Sequence, residues 1–516
     1  MNTARRHTLA LCLCLLALSS CSAPLRSKII HVNSLRGQIW PSKSGDSLLG
    51  GFSLLSSAIK DEKNNDPGAR HYVVAVYNAL HGTAEAHFTE GRAVVDLMNA
   101  TGFDALVLGP RDFYFGLEAL ERLAVAAAFP FLAANIGYET GAKPAFIKPF
   151  LYDPKTKLGL IALAPRQVIT QNLAQNVRGL TMKDEILVVQ EALRELKALG
   201  AKSIGLFAGG IVWGGPQGSD DSALAAALLE LDGIDQYWFG SPSPNTPDGL
   251  TILEGPNGPR IVAVQSGARF TNGHMIAQTS FAASPEGAEF RSIPVSAERY
   301  QADEALSSLL YTIEQTIAGA MNSPVASSLM GFSLDFEQEC SMGNLVCDIF
   351  RDYTGSDIFF LNSGKIRAAL SQGSISRKDV YDILPFGGNL VSATMSGEQI
   401  MALLNKSLSY VGNPKAGRGF LQVSGISFAW DPSLPAGDQV LKASIRIGDE
   451  ALNPARRYRV ATEAYIFGGG DGYSLFAEQG IGMERFYESS ILTILEDALR
   501  TAKELTAPDL GRITRR

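Results

Sequence analysis

Short apolar runs, closed by glycine-containing turns and followed by stretches of helical spacing, set the rhythm of residues 1–300. Residues 28–32 carry Ile29, Ile30 and Val32 and read as a strand, with Asn33-Ser34-Leu35-Arg36-Gly37 as its exit loop. Gly50-Gly51 opens a helix through residue 60. Residues 72–76 form the next strand and leave through Tyr77-Asn78-Ala79-Leu80-His81-Gly82-Thr83. Residues 90–101 are helical, with Val94, Val95, Leu97 and Met98 on one side. Residues 105–108 are a buried strand that Gly109-Pro110 ends in a turn, and a helical pattern resumes at Leu117. Further strands lie at 158–163, 203–207, 237–239 and 261–264; helices lie at 183–199, stopped by Gly200, and at 222–231. This alternation predicts an α/β domain, and the tip of strand 105–108 is where such folds place chemistry.

The pattern then changes. Residues 302–320 form a long amphipathic helix with few breakers, the expected linker to a second domain. Beyond it, residues 343–352 read as a helix, 358–361 as a strand and 420–428 as a strand; residues 465–473 read as a glycine-rich loop. No internal repeat and no long low-complexity segment is present.

Composition narrows the picture. The 516 residues suit about two to four domains. The net charge of −7 carries no basic block, which argues against nucleic acid as a partner. Arg5 and Arg6, the apolar run 9–18 and Leu18-Ser19-Ser20-Cys21 resemble a bacterial lipoprotein signal, so Cys21 is expected to carry lipid. The implied location is the cell envelope, facing the periplasm or the exterior. Beyond Cys12, Cys14 and Cys21 only Cys340 and Cys347 remain. On one helix they would stand about 10 Å apart, too far to bridge, so a disulfide requires Cys340 to precede the helix; both are expected free and buried.

Particular residues bring in a family. The stretch Gly109-Pro110-Arg111-Asp112 resembles the Gly-Asn-His-Glu/Asp block of the 5'-nucleotidase and UDP-sugar hydrolase family, with Pro110 and Arg111 at the Asn and His positions. Asn33-Ser34-Leu35-Arg36-Gly37 resembles that family's Asn-Asp-x-His-Gly loop, with Ser34 for Asp and Arg36 for His. Tyr77-Asn78 stands at its Gly-Asp, Ala208 at a loop His, and Gly240-Ser241-Pro242-Ser243 at Gly-His-x-His. The resemblance implies a fold made for two divalent metals whose ligand positions have all been replaced, so no cofactor is expected. Ser, Ala and Pro are poor ligands, and Asn78 offers only a neutral oxygen. Arg36 and Arg111 either form an anion site or fill the vacated space and pair with an acid such as Asp112. The chain has six histidines, none in a His-x-His or His-x-x-x-His spacing. His31, His81 and His87 lie near these loops and read as packing residues before they read as a new metal site.

The second half resembles the family's C-terminal domain more closely. Glu339-Cys340-Ser341-Met342-Gly343-Asn344-Leu345, Asn362-Ser363-Gly364-Lys365-Ile366-Arg367, Leu384-Pro385-Phe386-Gly387-Gly388 and Gly469-Gly470-Asp471-Gly472-Tyr473 match in order. The resemblance implies a nucleoside-binding pocket: Phe386 and Tyr465 sandwich the base, Asp471 accepts from the ribose, and Asn362 and Arg367 reach the base edge or phosphate. Phe336 stands where members carry a substrate-binding Arg. The alternative is that Phe386 and Tyr465 are ordinary core aromatics.

The expected organisation is a signal at 1–20, a tether at 21–28 and a metallophosphatase-like αββα sandwich of the calcineurin type at 29–300. A linker helix at 301–324, a smaller α/β substrate-binding domain at 325–500 and a tail at 501–516 follow. The expected function is nucleoside or nucleotide binding without dimetal hydrolysis. The alternatives are a working 5'-nucleotidase or related phosphohydrolase with a rebuilt site, and a surface scaffold for a protein partner.

Overall fold

The structure is a computed structural model that describes residues 26–44, 46–210, 220–241, 249–255, 258–266, 274–280, 288–413 and 418–516. The expected lipidation site, Cys21, lies outside them, as does Ser243.

The N-terminal half begins with strand β1 (Arg26–Asn33), helix α1 (Phe52–Asn65) and strand β2 (Ala69–Val76). Helix α2 (Ala84–Phe88), helix α3 (Arg92–Thr101), strand β3 (Ala105–Val107), helix α4 (Leu117–Ala126) and strand β4 (Phe131–Leu132) follow. Strands β1 to β4 lie side by side in parallel within a seven-stranded sheet. A six-stranded sheet faces it. Its centre is β5 (Leu158–Leu163), β6 (Ser203–Gly209) and β7 (Gln236–Ser241), also parallel, with helix α5 (Glu185–Ala198) between β5 and β6 in the chain.

The central strands are mostly apolar along their buried stretches because both of their faces are covered. Side chains alternate across a strand, so one sequence run feeds two cores. Ile30, Val32, Val73, Ala75 and Leu106 point at Phe52, Leu55, Val94 and Leu97 of the outer helices. Their neighbours Ile29, Tyr72, Val74, Val76 and Val107 point inward to meet Leu160, Phe207 and Trp238 of the opposite sheet. Phe207 and Trp238 stack with centroids 4.7 Å apart at the middle. Ile161, Leu163, Leu206 and Phe239 face α5 on the far side. The result is the expected αββα sandwich, with the exit loops of the parallel strands gathered at one edge.

Helix α6 (Ser307–Met321) leads out of the sandwich, burying Leu310, Ile313, Ile317 and Met321 at helical spacing. It starts later than the expected 302, because Asp303 caps a 3-10 turn at Glu304–Leu306 first. The C-terminal half is built on a five-stranded sheet that includes β8 (Ile358–Asn362), β9 (Asn389–Ser396), β10 (Leu421–Ser424) and β11 (Arg457–Glu463). Helix α7 (Ser341–Thr354) covers one face, with Phe350 on Phe359; helix α8 (Gly397–Leu408) covers the other.

Three local expectations change. Residues 420–428 are not one strand: Gly425 takes φ +77° and divides β10 from a second strand, Ile426–Trp430, which joins a different sheet. A Cβ at Gly425 would collide with the Asp357 carbonyl, so only glycine permits the break. Residues 465–473 are not all loop; a helical turn at Ala464–Phe467 and a 3-10 turn at Gly470–Gly472 shape them. The expected tail carries Ile513–Arg515, which pairs in parallel with Phe428, Ala429 and Trp430. Cys340 does precede α7, as its N-cap, and both Cys340 and Cys347 are free and buried.

Candidate functional site

The loops after β1, β2 and β3 form the edge of the sandwich nearest the C-terminal domain. Their backbones are laced together: Ser34 N donates to the Val76 carbonyl at 2.8 Å, Arg36 N to Asn78 O at 2.7 Å, and Tyr77 N to Val107 O at 3.0 Å. Ser34, Arg36, Tyr77 and Asn78 all take left-handed backbone, with φ of 62°, 49°, 63° and 59°. Such conformations cost on the order of 1–2 kcal/mol each for residues with a Cβ. The surrounding bonds hold this shape although the side chains on it have changed. Gly109 keeps the third loop close, since a Cβ there would lie 2.6 Å from Asn78 N.

The side chains present do not fit a pair of divalent cations. The Asn78 side-chain Oδ1 already accepts from Arg111 N at 2.8 Å. Ser34 is fully buried and its hydroxyl accepts from Arg36 Nε at 3.3 Å. Ala208 is buried with no donor atom, and Pro110 has none to offer. Asp112 is also engaged: its two oxygens accept from Leu80 N at 2.8 Å and Gly109 N at 2.7 Å. Burial holds its carboxyl up at about 6 despite those bonds. No cluster of three or more His, Cys, Asp or Glu able to hold a metal occurs among the described residues. Of Ser241 only the backbone is described, at the end of β7.

In place of ligands the edge presents two guanidinium groups. Arg36 is pushed down to about 10, first by burial and then by the like charge of Arg111. Arg111 is lowered by burial too, among Tyr381, Tyr77 and Tyr114. Neither forms an ion pair among the described residues, so Arg111 does not pair with Asp112. Both line a cleft of about 400 Å³ together with Trp40, Thr83, Glu85 and, from the C-terminal domain, Phe386.

The C-terminal pocket residues fall into two groups. Asn362, Tyr465 and Asp471 come together. Asn362 Nδ2 donates to one Asp471 oxygen at 2.7 Å and Tyr465 Oη to the other at 2.9 Å. Asp471 sits at φ 51° in its 3-10 turn, its carbonyl bonded by Tyr410 Oη. The Tyr465 ring lies against Gly470, where a Cβ would stand 2.5 Å away, and is 48% exposed. Neither Tyr465 nor Phe386, 37% exposed, is a core aromatic.

Phe386 and Arg367 meet at the boundary with the N-terminal domain. Arg111 and Arg367 place their guanidinium carbons 5.1 and 5.5 Å from the Phe386 centroid, one from each domain. Below this level Lys365 and Glu463 make a buried pair at 3.2 Å.

One feature was missed from sequence. Arg418 lies over Phe336 at 3.8 Å, returning a guanidinium to the place where Phe336 replaces an expected Arg. No spacing links two residues so far apart in the chain. The histidines are packed, as expected. His81 stacks on Tyr114 at 3.7 Å, and His87 lies 5.0 Å from Tyr381 of the C-terminal domain. His31 is buried edge-on to Phe207. All three are held neutral by burial, with His31 at about 3, His87 at about 4 and His81 well below the usual value. They are packing residues.

Comparison with known proteins follows the same division. Residues 318–478 match the family described as 5'-nucleotidase, C-terminal domain. A 5'-nucleotidase of Vibrio parahaemolyticus is 24% identical over 486 residues, 86% of this chain and 84% of that protein. A trifunctional nucleotide phosphoesterase of Bacillus subtilis is 36% identical over 157 residues, 29% of this chain but only 11% of that protein. Among solved structures, a 5'-nucleotidase precursor of Thermus thermophilus superposes with a TM-score of 0.63 at 22% identity, covering 95% of this chain and 99% of that one. A Staphylococcus aureus protein described as a putative 5'-nucleotidase gives 0.72 at 16%, with the same coverage. Residues 318–478 thus carry a 5'-nucleotidase C-terminal domain, the chain as a whole shares the two-domain fold of those structures, and the described loops of its metallophosphatase-like half hold none of the metal-binding side chains that the family resemblance places there.

Proposed function

We propose that this chain binds a nucleoside or nucleotide in its C-terminal domain and does not hydrolyse phosphoesters by two-metal chemistry. The observation that carries the reading is the Asn362–Asp471–Tyr465 array. It fixes a carboxylate beside an exposed aromatic face, the combination that suits a sugar hydroxyl next to a flat base. Several relatives are named 5'-nucleotidases, which supports a nucleotide as the ligand class. The reading includes acylation of Cys21 and attachment to a bacterial membrane.

The test is a thermal shift panel with adenosine, uridine and AMP on the full chain. A ligand that binds only the folded state must raise its melting temperature. The expected result is a shift with at least one nucleoside or nucleotide, lost in Asp471→Ala and Phe386→Ala. No shift with any of them overturns the reading and leaves a scaffold for a protein partner. Metal-dependent phosphate release from AMP or a UDP-sugar by the same preparation overturns its non-catalytic part and makes the chain a rebuilt hydrolase.

A further inference from the structure

The edge of the sandwich that cannot hold cations has a charge arrangement of its own. Arg36 and Arg111 line one cleft, the charge of Arg111 adds to the burial that holds Arg36 down, and the wall they share contains a single carboxylate, Glu85, bonded to neither. Across the domain boundary Arg367 approaches the same Phe386 ring as Arg111 and feels the charge of Arg418. None of the four guanidinium groups has an ion-pair partner among the described residues. Half-buried cations with no acid bonded to them, as Arg36 and Arg111 are, are costly unless an anion completes them. The planar donor fork of Arg matches the oxygens of a phosphate monoester.

We propose that Arg36 and Arg111, with Arg367 across Phe386, form a metal-free receptor for a phosphoryl group, so that both domains grip a phosphorylated nucleoside at once. This rests on the nucleotide reading above for the nucleoside part only. The guanidinium groups stand in for the lost metals as the positive charge that meets the phosphate. They supply no activated water, so the phosphate is held and not transferred.

The experiment titrates the EDTA-treated full chain with adenosine, AMP and inorganic phosphate at low and moderate salt. AMP is expected to bind at least tenfold tighter than adenosine without any metal, with the gap narrowing as salt rises. Arg36→Gln and Arg111→Gln should each close most of that gap. Arg367→Gln, at an exposed position, is a third variant whose folding is not in question. Equal affinity for AMP and adenosine overturns the proposal, as does an AMP preference that needs added Mn²⁺ or survives all three substitutions. If neither nucleoside nor nucleotide binds, the nucleotide reading fails. In that case inorganic phosphate stabilising the wild type but not Arg111→Gln keeps the receptor, and no effect of phosphate removes it.

Discussion

The two halves of this molecule treat charge in opposite ways. In the C-terminal domain the charges at the expected site that are not exposed have partners: Lys365 is paired with Glu463, and Asp471 is bonded by Asn362 and Tyr465. At the edge of the sandwich Arg36 and Arg111 line one cleft with no acid bonded to either among the described residues. Matched charge stabilises a shape that is already complete. Unmatched charge on a rigid loop marks a shape that is complete only with something bound. The strained backbone at Ser34, Arg36, Tyr77 and Asn78 says the same, since a scaffold that no longer needed this loop geometry would gain by relaxing it.

That contrast can be broken by substitution. The largest effect is expected for Glu463→Ala, which leaves Lys365 buried without a partner and should cost about 3–5 kcal/mol in urea unfolding. A loss under about 1 kcal/mol would mean the pocket floor does not depend on matched charge. Next comes acid. His81 and His87 are neutral in the folded chain, whereas the unfolded chain protonates them below their ordinary value near 6.5. The folded state therefore binds fewer protons, and stability present above pH 6.5 is lost as pH falls toward about 4, where His87 itself protonates. His81 faces Tyr114, Arg111 and Tyr381, while His87 faces Arg377 and Glu496. Asp112, raised to about 6, gives the opposite slope over part of that range. Melting temperature measured against pH should still fall on acidification, and fall less in a His81→Phe, His87→Phe variant.

Smaller effects sharpen the comparison from the other side. Arg36→Gln should stabilise the ligand-free chain by about 1 kcal/mol, because it relieves repulsion without breaking an ion pair. The gain should reverse when AMP is present, read as a crossover in melting temperature. Tyr465→Phe removes one bond to Asp471 but keeps the ring, so it should cost about 0.5–1.5 kcal/mol and weaken adenosine binding less than Asp471→Ala does.

Much of this was legible in sequence, for reasons that particular residues make clear. The sandwich was readable because its central strands are apolar on both faces and end in glycine turns, as at Val107-Leu108-Gly109. The missing ligands could be read because resemblance assigns each loop position, and Ser34 or Ala208 cannot be mistaken for a metal donor. The break at Gly425 was hidden, since Val423, Ile426 and Phe428 keep an alternating pattern across it. The ladder of Arg111, Phe386 and Arg367 was hidden more deeply. It depends on how two domains meet, and no local pattern encodes that. Arg418 over Phe336 is the same kind of case: a side chain lost from one segment and supplied by another.

The central claim is that the edge of the sandwich now attracts anions where its fold was made for cations. Calorimetric titration of the EDTA-treated full chain with MnCl₂ addresses it most directly. The account predicts no saturable uptake, and AMP binding that is the same with and without the metal. Saturable binding of two Mn²⁺ per chain, abolished by Asn78→Ala, would contradict it.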